Sequence, residues 1–385
     1  MPGFAKVSDL LKHATDAGDV PGVSVAVTSP DGLAYEHASG KRDLETGSAM
    51  TPDTVVRIAS MTKAITGACA MQLVEQGKLA LDVPIGRLLP TLSDVQVLEG
   101  YAADGKPKFR APKRPITLRH LLTHTSGHTY DIWNATIGEY RTKAGTPPLG
   151  SGLLASLDIP LLFDPGDAWE YSISIDYAGL AVEQASGLKL ADYMKKNLFE
   201  PLGMHDTGFR INDEQRARMA KLYGRTKEGL VPFTREPPEN PEFDAGGGGL
   251  YSTVRDYAKF AQMMLNKGKA NGTQVLKAET VALMSQNAMG DVNVKRLPSN
   301  MPALTNPVDF IDGMKWGLTF LINPKPLATG RSANSLAWAG LMNSYYWIDP
   351  TRNIAGVYAT QILPFCDVKS LKLFQDFETA VYEAI

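Results

Sequence analysis

The sequence predicts an α/β (α+β) fold in which one β-sheet is assembled from both ends of the chain around a helical insertion. Strand-like runs lie near both ends of the 385 residues, and the region between them has mostly helical periodicity. Strands that flank a helical segment in this way are expected to meet in one sheet. We therefore predict a discontinuous α/β domain, residues 1–85 and 215–385, and a helical domain, residues 86–214.

The N-terminal part is predicted to contain a helix, a hairpin and a second helix. An amphipathic helix opens the chain, and the strand-like runs 23–28 and 33–39 follow it, joined by a turn-forming Ser-Pro-Asp-Gly. A short apolar run, residues 55–58, then leads into a helix predicted over 61–76.

The rest of the chain alternates between loops, helices and strands. Thr253 and Asp256 have the spacing of a capping box. The predicted elements are an exposed excursion at 101–115, a polar, proline-rich loop at 224–249, a helix at 254–266, strands at 316–322, 344–348 and 354–360, and a final helix at 368–384.

Composition excludes several classes of function. Lys plus Arg is 39 and Asp plus Glu is 41, which gives a net charge of −2 and argues against nucleic-acid binding. The two cysteines, Cys69 and Cys366, are too far apart for a disulfide framework or a cysteine zinc site. There is no apolar run long enough to span a membrane and no secretory signal, so we expect a cytoplasmic protein without membrane contact.

The common cofactor and metal motifs are absent from the sequence. It contains no Gly-x-Ser-x-Gly, P-loop, His-Glu-x-x-His or Gly-x-Gly-x-x-Gly. His120, His124 and His128 recur at four-residue spacing, but no carboxylate ligand lies nearby, and a helix end that orders a loop is the favoured interpretation. The four glycines at 246–249 lack the lysine of a phosphate loop and are interpreted as a flexible loop. We predict neither a metal nor an organic cofactor.

The most informative motif is Ser60-Met61-Thr62-Lys63, where a short apolar run turns into a long helix. Residues three apart share a helix face, so Lys63 can reach the Ser60 hydroxyl. Serine needs a base to become a nucleophile, and lysine serves as one when burial lowers its pKa. The small, apolar residues after Lys63 favour burial. The alternative, a helix cap with a surface lysine, fits this motif equally well.

Two further motifs are weak when taken alone. Tyr171 stands just ahead of a predicted helix, where its phenol could act as a proton relay, although such an aromatic is more often part of a core. Trp338-Ala339-Gly340 precedes a strand, and a small residue and a glycine there let a substrate approach the backbone. Ordinary strand packing explains the same residues.

Together and in this order, the three motifs resemble the serine β-lactamase and penicillin-binding protein superfamily, closest to class C β-lactamases and family VIII carboxylesterases. Further matching stretches are LLTHTSG at 121–127, PLGM at 201–204 and GLYST at 249–253. The resemblance implies an antiparallel sheet flanked by helices, plus a helical lobe. It also implies that Ser60 is the acylated nucleophile, Lys63 its base and Tyr171 the proton shuttle, with the amides of Ser60 and Leu341 as the oxyanion hole.

This sequence departs from the β-lactamase pattern at two positions. Ile173 replaces the asparagine of Tyr-x-Asn, and Trp338 replaces the lysine of Lys-Thr-Gly, which would attract a substrate carboxylate. A tryptophan can pack against an uncharged ester instead, as in family VIII esterases. The candidates to contact the substrate are Trp338, Gly340, Tyr130, Trp133 and Trp169.

The resemblance therefore implies a serine carboxylesterase that hydrolyses short-chain esters through an acyl-enzyme, with weak β-lactam hydrolysis allowed. Its partner is a small-molecule ester. The alternatives are an acyltransferase of the same fold and a β-lactamase or D-alanyl peptidase. The non-enzymatic alternative is a β-lactam-binding or sensor protein. The sequence leaves the oligomeric state open.

Overall fold

The secondary structure is taken from a computed structural model that describes residues 2–234 and 236–385. In chain order, the strands are β1 (Gly22–Ser29), β2 (Gly32–Gly40), β3 (Val56–Arg57), β4 (Val97–Tyr101), β5 (Pro107–Arg110), β6 (Tyr223–Thr226), β7 (Gly229–Pro232), β8 (Tyr251–Ser252), β9 (Lys269–Ala270), β10 (Thr273–Gln274), β11 (Lys315–Trp316), β12 (Leu321–Ile322), β13 (Leu336–Gly340), β14 (Ser344–Asp349), β15 (Ile354–Ala359) and β16 (Ile362–Leu363). The helices are α1 (Ala5–Asp16), α2 (Thr62–Glu75), α3 (Leu118–Leu122), α4 (Ala135–Ala144), α5 (Ser174–Ser186), α6 (Leu190–Met194), α7 (Glu200–Leu202), α8 (Asp213–Ala217), α9 (Val254–Leu265), α10 (Ala278–Met284) and α11 (Val368–Ala384).

The main sheet joins the two ends of the chain, as the sequence predicts. Within the described residues it has seven strands in the order β11-β12-β13-β14-β15-β1-β2. The junction is the antiparallel pair of β1 and β15, in which Ser24 lies opposite Ala359. Every neighbouring pair in this sheet is antiparallel.

Helices cover both faces of the sheet. Successive side chains of a strand point to opposite faces. On β14, Trp347 contacts Phe377 of α11 with ring centroids 5.5 Å apart. Its neighbour Tyr346 contacts Tyr257 of α9 at 4.9 Å on the other face.

Helix α2 lies in the interior of the molecule. All of its residues from 62 to 73 are buried, which fits a helix that is apolar on all sides. Helix α5 packs beside it. Lys63, the lysine of the Ser-x-x-Lys motif, therefore lies at the start of a core helix.

Several sequence predictions need correction. The predicted strand 316–322 is split into β11 and β12, because the chain turns at Thr319, which has a φ of 78°. The predicted loop 224–249 begins with the hairpin of β6 and β7, and β6 also pairs in parallel with β16. The predicted exposed excursion 101–115 is largely exposed, as expected, but it contains the strand β5, which pairs with β4. The predicted capping box forms in one direction: the Thr253 side chain accepts from the Asp256 amide at 3.2 Å, whereas the Asp256 carboxylate accepts from the Asp206 amide at 2.7 Å.

Among the helices of the described residues, none combines the length and the apolar character needed to cross a lipid bilayer.

Candidate active site

Ser60 and Lys63 lie at the point where β3 passes into α2. A short 3₁₀ turn, Ala59–Met61, carries the serine, and Ala59 enters it with a φ of 43°. Lys63 follows in the first turn of α2, with a side chain that is fully buried. Its Nζ donates to Ser60 Oγ at 3.1 Å, so the structure has the serine–lysine contact that the spacing predicts.

The buried Lys63 amine has two further partners. It donates to the Tyr130 hydroxyl at 3.1 Å and to the Gly247 carbonyl oxygen at 2.5 Å. Burial lowers the pKa of Lys63 to about 7, and the nearby Asp176 carboxylate opposes this shift. Near neutral pH a large fraction of this amine is therefore unprotonated and able to accept a proton.

Tyr171 reaches the same serine from the segment before α5. Its hydroxyl shares a hydrogen bond with Ser60, and it accepts another from Trp338 Nε1 at 2.8 Å. Lys63 Nζ lies 4.7 Å from the centre of the Tyr171 ring. Burial raises the pKa of Tyr171, and the hydrogen bonds from Ser60 and Trp338 partly oppose the increase. The phenol therefore keeps its proton at neutral pH.

Strand β13 borders the serine turn and carries two of the residues that we expected to contact the substrate. Trp338, which we expected to pack against substrate, also donates its indole N–H to Tyr171. We expected Gly340 to let a substrate approach, yet a Cβ there would lie 2.3 Å from the Ile58 carbonyl oxygen. The glycine is thus needed for the approach of the protein's own backbone. Leu341 follows directly in the chain. It is half-buried and packs against the cluster that contains Ala59, the first residue of the serine turn.

The predicted aromatic residues cluster around Tyr171. Tyr130 and Trp133 have ring centroids 5.4 and 5.2 Å from it, and each is less than a tenth exposed. Trp169 stacks on Tyr171 with ring centroids 6.3 Å apart, and it is buried to the same degree as that tyrosine. Trp316, which sequence reasoning missed, contacts Trp338 at 4.7 Å.

Gly247 and Asp176 also belong to the site and were missed. Asp176 Oδ1 accepts from the Gly247 amide at 2.9 Å, while the carbonyl of the same glycine accepts from Lys63. A Cβ on Gly247 would lie 2.6 Å from Asp176 Oδ2. The stretch 246–249 is a turn, as predicted, but Gly246 and Gly247 are buried, and Gly247 is fixed beside the lysine by these contacts.

The histidines of the four-residue repeat lie in different surroundings. His120 caps α3 together with Thr117. His124 and His128 are buried and hydrogen-bonded to serines. Within residues 2–234 and 236–385, no group of His, Cys, Asp and Glu side chains has a geometry that could hold a metal ion.

The matches to known proteins agree with this fold. A family model described as Beta-lactamase matches residues 7–374. The chain belongs to the beta-lactamase family. The resemblance inferred from the three motifs is thereby confirmed.

Named relatives extend over nearly the whole chain. Lovastatin esterase from Penicillium rubens is 31% identical over 392 residues, covering 97% of this chain and 96% of the relative. Monacolin J acid methylbutanoyltransferase from Aspergillus terreus is 30% identical over 393 residues, covering 97% and 94%. A mutant of simvastatin synthase from Aspergillus terreus has a similar structure, with a TM-score of 0.86 and 30% identity over 99% of this chain and 96% of that one. These matches confirm the predicted fold, and the two relatives are named as an esterase and an acyltransferase.

Proposed function

We propose that the protein is a serine carboxylesterase that hydrolyses short-chain esters through an acyl-enzyme on Ser60. The observation that carries this proposal is the 3.1 Å hydrogen bond from Lys63 Nζ to Ser60 Oγ, formed by a lysine whose pKa burial lowers to about 7. A serine beside an unprotonated amine is an activated nucleophile.

In the acylation step, Lys63 takes the Ser60 proton as Oγ bonds to the ester carbonyl carbon. The carbonyl electrons move to oxygen, and the amides of Ser60 and Leu341 stabilise the oxyanion. When the intermediate collapses, the ester C–O bond breaks, and the Tyr171 phenol donates its proton to the departing alkoxide. The Lys63 ammonium then returns a proton to Tyr171, and the cycle repeats with water as the nucleophile.

The charge of the site favours uncharged substrates. Position 338 carries an indole where β-lactamases have an ammonium group, so a substrate carboxylate has no partner there. The surrounding rings of Tyr130, Trp133 and Trp338 offer apolar contact to a small acyl group. This combination supports esters of the family VIII type over penicillins or peptides.

The nucleophile is tested with a serine-directed phosphonate and a chromogenic short-chain ester. We expect a covalent adduct on Ser60 in the wild-type protein, and Ser60→Ala should lose both the adduct and ester hydrolysis while keeping its fold. The matched control is Ser186→Ala, in the second Ser-x-x-Lys of the chain, where Lys189 contacts Glu183. Retention of most ester activity by Ser60→Ala would contradict the proposal.

Acyl transfer to an alcohol is a second candidate, favoured by the 30% identity to the methylbutanoyltransferase. Acylation is common to both functions, and only the acceptor differs. Product analysis with a competing alcohol separates them, because a transferase yields mainly the new ester. Comparison of ester and cephalosporin turnover tests the β-lactamase alternative, and a lasting adduct without turnover would favour a sensor.

A further inference from the structure

The segment that carries Tyr171 has no regular secondary structure to hold it. Residues 168–172 belong neither to a strand nor to a helix, and α5 begins only at Ser174. The phenol must nevertheless stay within hydrogen-bond distance of Ser60. Other contacts of this segment must therefore fix its position.

One residue, His124, holds this segment on both sides of the tyrosine. Its main-chain oxygen accepts from the Glu170 amide at 3.0 Å, and its ring Nδ1 accepts from the Ser172 amide at 3.2 Å. The imidazole also lies against the Tyr171 ring, with centroids 4.6 Å apart. The φ of His124 is 58°, a conformation that costs free energy for a residue with a side chain. This turn allows the carbonyl and the ring to face the same segment.

The hydrogen bonds assign the state of the ring. A ring nitrogen that accepts a backbone N–H carries no proton, so the proton of the neutral imidazole is assigned to Nε2. Burial lowers the pKa of His124 well below its usual value, and the positive charge of Lys63 acts in the same direction. His124 therefore remains an acceptor over the neutral pH range.

A chain of buried hydroxyl groups continues from this contact. Ser172 Oγ lies 3.1 Å from His124 Nδ1 and 2.6 Å from Ser174 Oγ, which lies 2.6 Å from Ser126 Oγ. The chain ends at His128, whose Nδ1 is 3.1 Å from Ser126 Oγ. The ring of His128 packs against Tyr177, with ring centroids 5.1 Å apart.

We propose that His124 is the positioning residue for Tyr171, acting through its acceptor contact with Ser172 and its ring contact with the tyrosine. This inference rests on the proposed function, because it assigns a role in the same reaction. The chain offers a matched control in His128, which is equally buried and terminates the same hydroxyl chain.

The test compares kcat and KM for a chromogenic short-chain ester in His124→Leu, His124→Asn and His128→Leu, alongside thermal unfolding. Leucine removes the acceptor, whereas asparagine keeps an oxygen close to the place of Nδ1 and tolerates positive φ. We expect His124→Leu to lower kcat about 100-fold with KM within about twofold, since small misplacements of a reacting group cost about this much. The kcat of His124→Asn should be at least about tenfold higher than that of His124→Leu. The kcat of His128→Leu should stay within about threefold of the wild-type value.

Full kcat in His124→Leu, no recovery with asparagine, or an equal loss in His128→Leu would overturn the proposal. If the leucine variant does not fold, His124→Gln provides the comparison, because its amide oxygen lies one methylene too far. Equal kcat for the asparagine and glutamine variants would then refute the positioning role. Phosphonate labelling of wild-type Ser60 separates the two proposals. If wild-type protein is labelled and active but the His124 variants keep its kcat, only the positioning role is refuted. If wild-type protein shows neither labelling nor ester turnover, the proposed function is refuted together with the role that depends on it.

Discussion

Replacement of Asp176 by Asn should move the acidic limb of the pH profile of kcat/KM to lower pH. In the proposed mechanism Lys63 must be unprotonated to accept the serine proton, so kcat/KM rises with pH through the Lys63 pKa of about 7. The Asp176 carboxylate stabilises the ammonium form and raises this pKa. Removing the negative charge therefore lowers the Lys63 pKa, and the amine becomes available at lower pH.

The size of the shift follows from the geometry around Gly247. This residue accepts from Lys63 at 2.5 Å and donates to Asp176 at 2.9 Å, so the two charges lie within about 8 Å of each other. Unit charges about 8 Å apart in a medium with an effective dielectric constant of about 20 interact by about 2 kcal/mol, or about 1.5 pKa units. Asparagine has nearly the same shape and can still accept from the Gly247 amide.

The assay is the pH dependence of kcat/KM for a neutral ester, so that the substrate itself does not titrate. Asp256→Asn is the control, since Asp256 is also a buried carboxylate but lies on α9, where it contacts Lys259. We expect its acidic limb to match that of the wild type. An unshifted limb in Asp176→Asn would refute the reasoning and would mean that Asp176 is uncharged while Lys63 titrates.

Three further substitutions test the packing and hydrogen bonds of the molecule. Trp338→Phe removes the N–H bonded to Tyr171 and should lower kcat about tenfold, measured by steady-state kinetics, as expected for one lost hydrogen bond of about 1.4 kcal/mol. Gly340→Ala places a Cβ 2.3 Å from a main-chain oxygen and should lower the free energy of unfolding in urea by about 1–3 kcal/mol. Arg331→Met breaks a buried ion pair with Glu378 and should cost about 3–5 kcal/mol in the same measurement, whereas replacing both residues by apolar ones should restore most of the stability.

The parts of the site that the sequence predicts are those fixed by local geometry. Ser60 and Lys63 are three residues apart, and helix periodicity alone brings their side chains together. The strands of the β14–β15 hairpin and the bounds of α11 also agree closely with the prediction, since short runs of strand-forming residues and the helical period are local properties of the chain.

The contacts that were missed join distant parts of the chain. Lys63 meets Tyr130 across 67 positions and Gly247 across 184, and Trp338 meets Tyr171 across 167. Periodicity shows which face of an element is buried but not which remote segment covers it. For the same reason the glycine run was interpreted as a loop, although its backbone supplies an acceptor for the buried lysine.

Position 338 carries an indole here, where the β-lactamase pattern has a lysine, and this difference affects which group can act as the base. An ammonium group there would stabilise a phenolate at Tyr171 and would also disfavour the charged form of Lys63. Trp338 donates the same kind of hydrogen bond to the phenol without a charge, and burial keeps the pKa of Tyr171 raised. The phenol is then protonated at the pH at which the amine of Lys63, with its pKa of about 7, loses its proton. This arrangement supports the proposed mechanism, in which Lys63 is the base and Tyr171 carries protons between the amine and the leaving group. The acidic limb of activity should then follow a single titration, that of the amine.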